Sequence, residues 1–215
     1  MKITIFGATG QIGKLLVKQA LDEGYDVVAY VRNAAKLESF KNSRLTIVEG
    51  PLNNTKRIEE AIIDSDAVLS MLGPIEWRKV GDMPITNGTQ NIVNAMKKQG
   101  VKRLIAIGTP SSIPDPANDK STITMGLLKL SVKYTMANAF KEFGGVGDVI
   151  QKSGLDWTIV RFLQPTDGPK KGNVKHGFVG KTKIGMSVTR ADIADFALKQ
   201  ITEKTYIGKM PAISN

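Results

Sequence analysis

Three glycines in seven residues, Gly7-Ala8-Thr9-Gly10-Gln11-Ile12-Gly13, follow the apolar run Ile3 to Phe6. A segment with apolar residues at helical spacing (Ile12, Leu15, Leu16, Ala20) comes next, and Gly24 supplies a stop. A second apolar run, Val27 to Val31, then ends on Arg32. In order this is strand, glycine turn, helix, strand, basic residue. That order builds a cradle for a pyrophosphate and a selector for the adenosine end of a dinucleotide. Gly7 turns the chain as it leaves the strand, Gly10 leaves room for the phosphates, and Gly13 lets the helix lie close. Thr9, Gln11 and Ile12 share that turn and are expected to touch the cofactor. The spacing is G-x-x-G-x-x-G rather than G-x-G-x-x-G, and its context between strand and helix makes it specific.

Arg32 decides the expected cofactor. NAD binders place an Asp or Glu about 20 residues on, at the end of the second strand, against the ribose 2′-hydroxyl. No acid stands there: Asp22 and Glu23 belong to the helix end, and Asp26 begins the strand. A guanidinium suits a 2′-phosphate in a forked pair of hydrogen bonds, so NADP is preferred over NAD. Lys36 either assists that phosphate or stands in solvent.

These residues must be carried by a larger frame. Further strands are predicted at Leu45 to Val48, Ala67 to Leu72, Leu104 to Ile107 and Thr158 to Val160. Helices are predicted at Ile58 to Ile63, Thr89 to Lys98, Leu127 to Gln151 and Ala191 to Ile201. Thr189 and Asp192 form a capping pair for the last of these. Gly144-Gly145-x-Gly147 predicts a kink inside the long helical region. Several strands are continuous apolar runs, as in a parallel sheet covered on both faces. The reading is an α/β, Rossmann-like doubly wound parallel sheet. Residues 1–215 form a single NAD(P)-binding domain with a small substrate-side C-terminal elaboration.

Gly7-Ala8-Thr9-Gly10-x-x-Gly13 and Tyr30-Val31-Arg32-Asn33 resemble the atypical short-chain dehydrogenase/reductase families, in particular the NmrA-like and biliverdin/flavin reductase-like NAD(P)-binding group. The likeness continues at residues 100–105, 153–161 and 189–194 and covers essentially the whole chain. It implies which strand ends meet the cofactor. After the third strand the family often has an acid against adenine; Pro51 stands there, and Leu52 is left to pack on the ring. After the fourth, Met71 and Gly73 are expected along the ribose. After the fifth, Thr109 and Ser111 are the candidate hydroxyls near the nicotinamide, or a turn that satisfies its own backbone. After the sixth, Phe162 replaces the usual proline beside the nicotinamide, and Arg161 is read as an internal charge pair rather than a catalyst.

The familiar Tyr-x-x-x-Lys pair is missing. Four residues after Tyr25, Tyr30, Tyr134 and Tyr206 stand Ala29, Ala34, Asn138 and Met210. Tyr134 remains a catalytic candidate with Thr109 and Ser111, or a residue packed in its helix. Without a tyrosinate, the suitable substrates take a proton from water after hydride arrives, as flavins, quinones and conjugated tetrapyrroles do. Substrate-side loops are expected at 75–84, 113–125 and 165–183, with Trp77 either stacking on a flat substrate or anchoring its loop.

Composition removes other chemistries. The chain has no cysteine and one histidine, His176, so thiolate catalysis is excluded and no metal site is expected. No Gly-x-Ser-x-Gly elbow is present. No apolar run approaches a membrane span, no signal peptide is read, and a cytoplasmic location is expected. A net charge of +10 lacks basic runs interleaved with aromatics, so nucleic acid is an unlikely partner, while the field suits an anionic cofactor. A homodimer is compatible with the sequence. Two readings stay open. One is an NADP(H)-dependent oxidoreductase passing hydride to a small conjugated acceptor such as a flavin or quinone. The alternative is a non-catalytic NAD(P)-binding redox sensor of the NmrA-like type that acts through a protein partner.

Overall fold

The predicted apolar runs line up side by side as one sheet. The computed structural model describes residues 1–74, 81–120 and 123–215. In chain order these hold β1 (Lys2–Phe6), α1 (Gln11–Asp22), β2 (Asp26–Val31), a 3-10 turn (Ala34–Leu37), β3 (Leu45–Glu49), α2 (Thr55–Ile62), β4 (Ala67–Ser70), α3 (Pro84–Gln99) and β5 (Arg103–Gly108). Then come α4 (Ile123–Thr135), α5 (Ala137–Gln151), β6 (Asp156–Arg161), β7 (Gln164–Thr166), β8 (Lys175–Gly177), β9 (Ser187–Thr189), α6 (Arg190–Lys199) and β10 (Ala212–Ser214). The large sheet runs β3-β2-β1-β4-β5-β6-β10-β8, and β7 pairs with β9 apart from it. Every pairing in the large sheet is parallel except β10 with β8. The strand order reverses direction between β1 and β4, the switch point where doubly wound sheets hold ligands.

Burial on both faces explains the continuous apolar runs. Side chains of α1 and α6 (Leu16, Ala20, Ile193, Ala197) share one core with Ile3 and Ile5 of β1. Side chains of α2, α3 and α5 (Ile58, Ile92, Met96, Ile150) share the other with Phe6 and Val68. Thr4 is buried among them, but its hydroxyl donates to the Ala61 carbonyl at 2.6 Å and meets Ser65 Oγ at 2.8 Å, so its burial leaves that hydroxyl satisfied. Arg103 is buried at the start of β5. Its guanidinium donates to the carbonyls of Gln200 and Asp156 and to Thr158 Oγ1. Burial lowers its pKa to about 10, and the charge lies on the carbonyl end of α6, where a cation is favoured.

The structure corrects two helix expectations. The region Leu127 to Gln151 is two helices, parted at Met136 (φ −131°, ψ 49°). The glycines predicted to kink it instead lie inside an unbroken α5. A Cβ on Gly145 would stand 2.6 Å from Thr86 Oγ1, and one on Gly147 would stand 2.7 Å from Ile113 Cγ2. They serve close helix packing, not bending. The last helix opens as read: the Thr189 hydroxyl accepts from the Asp192 N–H at 3.2 Å. Segment 165–183, expected to be loop, contains the end of β7 and all of β8. These strands, with β9 and β10, are three residues each, too short for an alternation to register.

Candidate cofactor and active site

The carboxyl ends of β1, β2, β4, β5 and β6 bring the predicted residues to one edge of the sheet. At β1 the chain turns through Gly7 (φ +76°), where a Cβ would lie 2.7 Å from the Met71 carbonyl oxygen. Gly13 is buried against the Gly7 backbone and has no space for a side chain. Gly10 differs: a Cβ there would meet only the Gly7 carbonyl, at 3.3 Å. The fold crowds Gly10 less than Gly7 or Gly13, and a small shift would admit a Cβ. Its N–H donates to Gly7 O at 3.0 Å and its carbonyl accepts from Lys14 N–H at 2.9 Å. The N-terminus of α1 has no side-chain cap and no acid in its first turn. Its N–H groups are therefore open to an anion, which fits a pyrophosphate. Thr9 and Ile12 are half-buried and Gln11 is exposed on this turn.

At the adenosine end, Arg32 and Lys36 are both exposed. Among the described residues no hydrogen bond or ion pair holds the Arg32 guanidinium. Asn33 accepts from Ala35 N–H at 3.0 Å and starts the 3-10 turn. The Glu49 carboxylate, from the end of β3, accepts from Ala34 N–H at 2.7 Å. The Pro51 carbonyl accepts from the Tyr30 hydroxyl at 2.9 Å. Leu52 is half-buried, and its side chain lies where a Cβ on Gly88 of α3 would be, at 2.8 Å.

At the opposite end, Met71 is buried in the core, whereas Gly73 is exposed beside the ring of Phe143. The hydroxyls of half-buried Thr109 and buried Ser111 meet at 2.9 Å. They satisfy each other rather than their own backbone, and Thr109 is the more accessible. Phe162 is half-buried, with its N–H donating to Gly108 O at 3.1 Å. Arg161 is fully buried. Both its terminal nitrogens donate to the Asp119 carboxylate, at 2.7 and 2.8 Å, and one also reaches Ile113 O at 3.0 Å. Asp119 further accepts from the N–H groups of Asp115 and Val179, both at 3.0 Å. Burial pushes the Asp119 carboxyl up, but Arg161 and these N–H groups together hold it below its ordinary value. The pair is a strut between β6, the 113–120 loop and the 178–182 turn, as the internal-pair reading of Arg161 anticipated.

Tyr134 is 75% exposed in the last turn of α4, so it is not packed within the fold. Trp77 lies outside the described residues, as does most of the 75–84 segment. Glu142 was missed in the sequence: it is fully buried and accepts from the N–H groups of Ile85 and Thr86 at 3.1 and 2.8 Å. It caps α3 from α5. Glu49 and Asp119 were also missed. Neither has a local signal, because each finds its partner across the fold. Among the described residues no group of acids and histidine could hold a metal ion, and no helix is long and apolar enough to cross a membrane.

Comparison with known proteins agrees with this geometry. A family model described as NAD(P)H-binding matches residues 7–204. The chain belongs to the NAD(P)H-binding family. Within it, the chain is 34% identical over 193 residues to an uncharacterized chloroplastic protein of Arabidopsis thaliana, covering 80% of this chain and 62% of that one. It is 32% identical to the phenylcoumaran benzylic ether reductase IRL1 of Ginkgo biloba, covering 97% of this chain and 67% of that one. This family member thus spans about two thirds or less of the length of these curated relatives. Among solved structures, a short-chain dehydrogenase/reductase of Veillonella parvula in complex with NADP superposes with a TM-score of 0.79. It is 20% identical and is matched over 100% of this chain and 94% of that one. The resemblance read from the glycine turn and the Rossmann-like sheet is borne out.

Proposed function

We propose that the protein is an NADPH-dependent reductase that delivers hydride to a small conjugated acceptor such as a flavin or quinone, in the cytoplasm. The observation that carries the reading is Arg32. It is an unengaged guanidinium at the end of β2, beside an uncapped α1 N-terminus, with no acid on that strand end. Bound NADPH supplies the hydride, and the chain supplies orientation. The first turn of α1 holds the pyrophosphate, and Arg32 holds the 2′-phosphate. Gly73 admits the ribose, and Thr109 offers a hydroxyl to a carbonyl of nicotinamide or acceptor, with Ser111 fixing its direction. The Asp119–Arg161 strut keeps the β6 end and its flanking loops in place without touching the reacting atoms. No lysine follows a tyrosine by four residues, so an acceptor whose reduced form is protonated by water suits the site best.

The same absence favours a second reading, a sensor that binds NAD(P) and reports through a protein partner. Titrating the protein with NADPH and NADH, then adding FMN, riboflavin and a quinone while following reduced-nicotinamide absorbance, separates them. Tight NADPH binding with oxidation is expected. Binding without oxidation of any acceptor transfers the assignment to the sensor, and no binding of either cofactor overturns both.

A further inference from the structure

Glu49 is exposed at the carboxyl end of β3, in register with Val31, the residue before Arg32. Its carboxylate reaches across to the segment that follows Arg32 and takes the Ala34 N–H at 2.7 Å. Asn33 takes the Ala35 N–H. The amides that open the 3-10 turn are thus occupied, and a phosphate arriving there has the Arg32 side chain to rely on, with a fixed negative charge beside it. The nearby Arg57 does not pair with that carboxylate: its guanidinium donates to the Glu49 backbone carbonyl and pairs with Glu60. The second carboxylate oxygen of Glu49 has no partner among the described residues. An acid at this edge is what a ribose 2′-hydroxyl needs. Here it comes from the neighbouring strand rather than from the end of β2.

We infer that Glu49 is a specificity-determining residue of the adenosine subsite, which takes the ribose hydroxyls of NADH and opposes the 2′-phosphate of NADPH, so that Arg32 and Glu49 together set the cofactor ratio. The inference rests on the proposed placement of the 2′-phosphate at Arg32. Its test is the binding of NADPH and NADH, measured calorimetrically at low and at high salt, to the wild type, Glu49→Gln, Glu49→Ala and Arg32→Ala. Glutamine keeps an acceptor for Ala34 N–H and removes the charge. NADPH is expected to bind about fivefold tighter to Glu49→Gln, NADH to bind more weakly, and the gain for NADPH to shrink as salt screens the charge. An unchanged ratio in Glu49→Gln, with Arg32→Ala still selective against NADPH, overturns the role of Glu49 alone. Equal weakening of both cofactors in both Glu49 variants likewise overturns it, because Glu49 is then only a brace. Equal weakening of both cofactors by Arg32→Ala overturns the 2′-phosphate placement and this inference with it. Thermal melts of each variant confirm that the comparison is between folded proteins.

Discussion

At the scale of single residues, the proposed cradle separates groups the fold needs from groups assigned to the proposed ligand. Gly13 belongs to the first kind, since its Cβ position is filled by the Gly7 backbone. Gly10 is assigned to the second, since its Cβ position meets only the Gly7 carbonyl oxygen, at 3.3 Å, a contact that a small shift relieves. Gly10→Val is therefore expected to remain folded, with a smaller loss of melting temperature than Gly13→Val, and to abolish binding of both cofactors, read by calorimetry. Retained affinity in the folded variant would refute the cradle. Arg32→Ala is expected to weaken NADPH binding by about ten- to a hundredfold, the scale of a charge-assisted contact, and to leave NADH nearly alone. Parallel titrations with the two cofactors check it. The residue scale is also where the sequence was most legible. The glycine turn, Arg32 and the missing lysine after each tyrosine are all properties of neighbouring residues.

At the scale of elements, buried polar pairs lock loops to strands. Asp119→Ala would leave Arg161, fully buried, without its carboxylate. The expected loss is about 3–5 kcal/mol in unfolding free energy, measured by urea denaturation. The double variant Asp119→Ala with Arg161→Met is expected to recover part of it, because no uncompensated charge remains. A double variant as unstable as the single one would show that the pair is not the source of the loss. The contact of α5 with the loop after β5 makes a second demand. A Cβ on Gly147 would stand 2.7 Å from the Ile113 side chain, so Gly147→Ala is expected to destabilise by about 1–3 kcal/mol through overpacking. If the glycine were there to bend α5, alanine would instead stabilise the helix, and the sign of the shift in denaturation midpoint decides.

Across the whole molecule, acid and charge set the conditions under which the fold and the cofactor site hold. Asp119 and Asp192 both have carboxyl pKa values below the ordinary aspartate range. For Asp192, burial pushes upward, and the Thr189 hydroxyl, the N–H groups of Lys171 and Gly172 and the Asn215 amide pull it down further. A depressed folded-state value means the stability is present above the unfolded value and lost as pH falls through the folded one. Melting temperature is therefore expected to hold above about pH 5 and to drop as pH falls below about 3.9, the unperturbed aspartate value. Asp192→Asn should flatten that drop, and an equally steep fall in the variant would exclude Asp192 as a source.

What the sequence determined by itself was local: the alternation of strands and helices, the glycine turn, the basic residue at the second strand end, and the cap of the last helix. Each follows from periodicity or from residues a few positions apart, and steric rules act at that range. Tertiary structure alone decided that Glu49 meets Ala34, that Asp119 meets Arg161 and that Glu142 caps α3, partners 15, 42 and 56 or 57 residues apart. It also decided that the glycines of α5 face a neighbour rather than bend the helix. Such pairings depend on strand register and on which helix faces touch, and these are set when the whole sheet assembles. No window of sequence contains them.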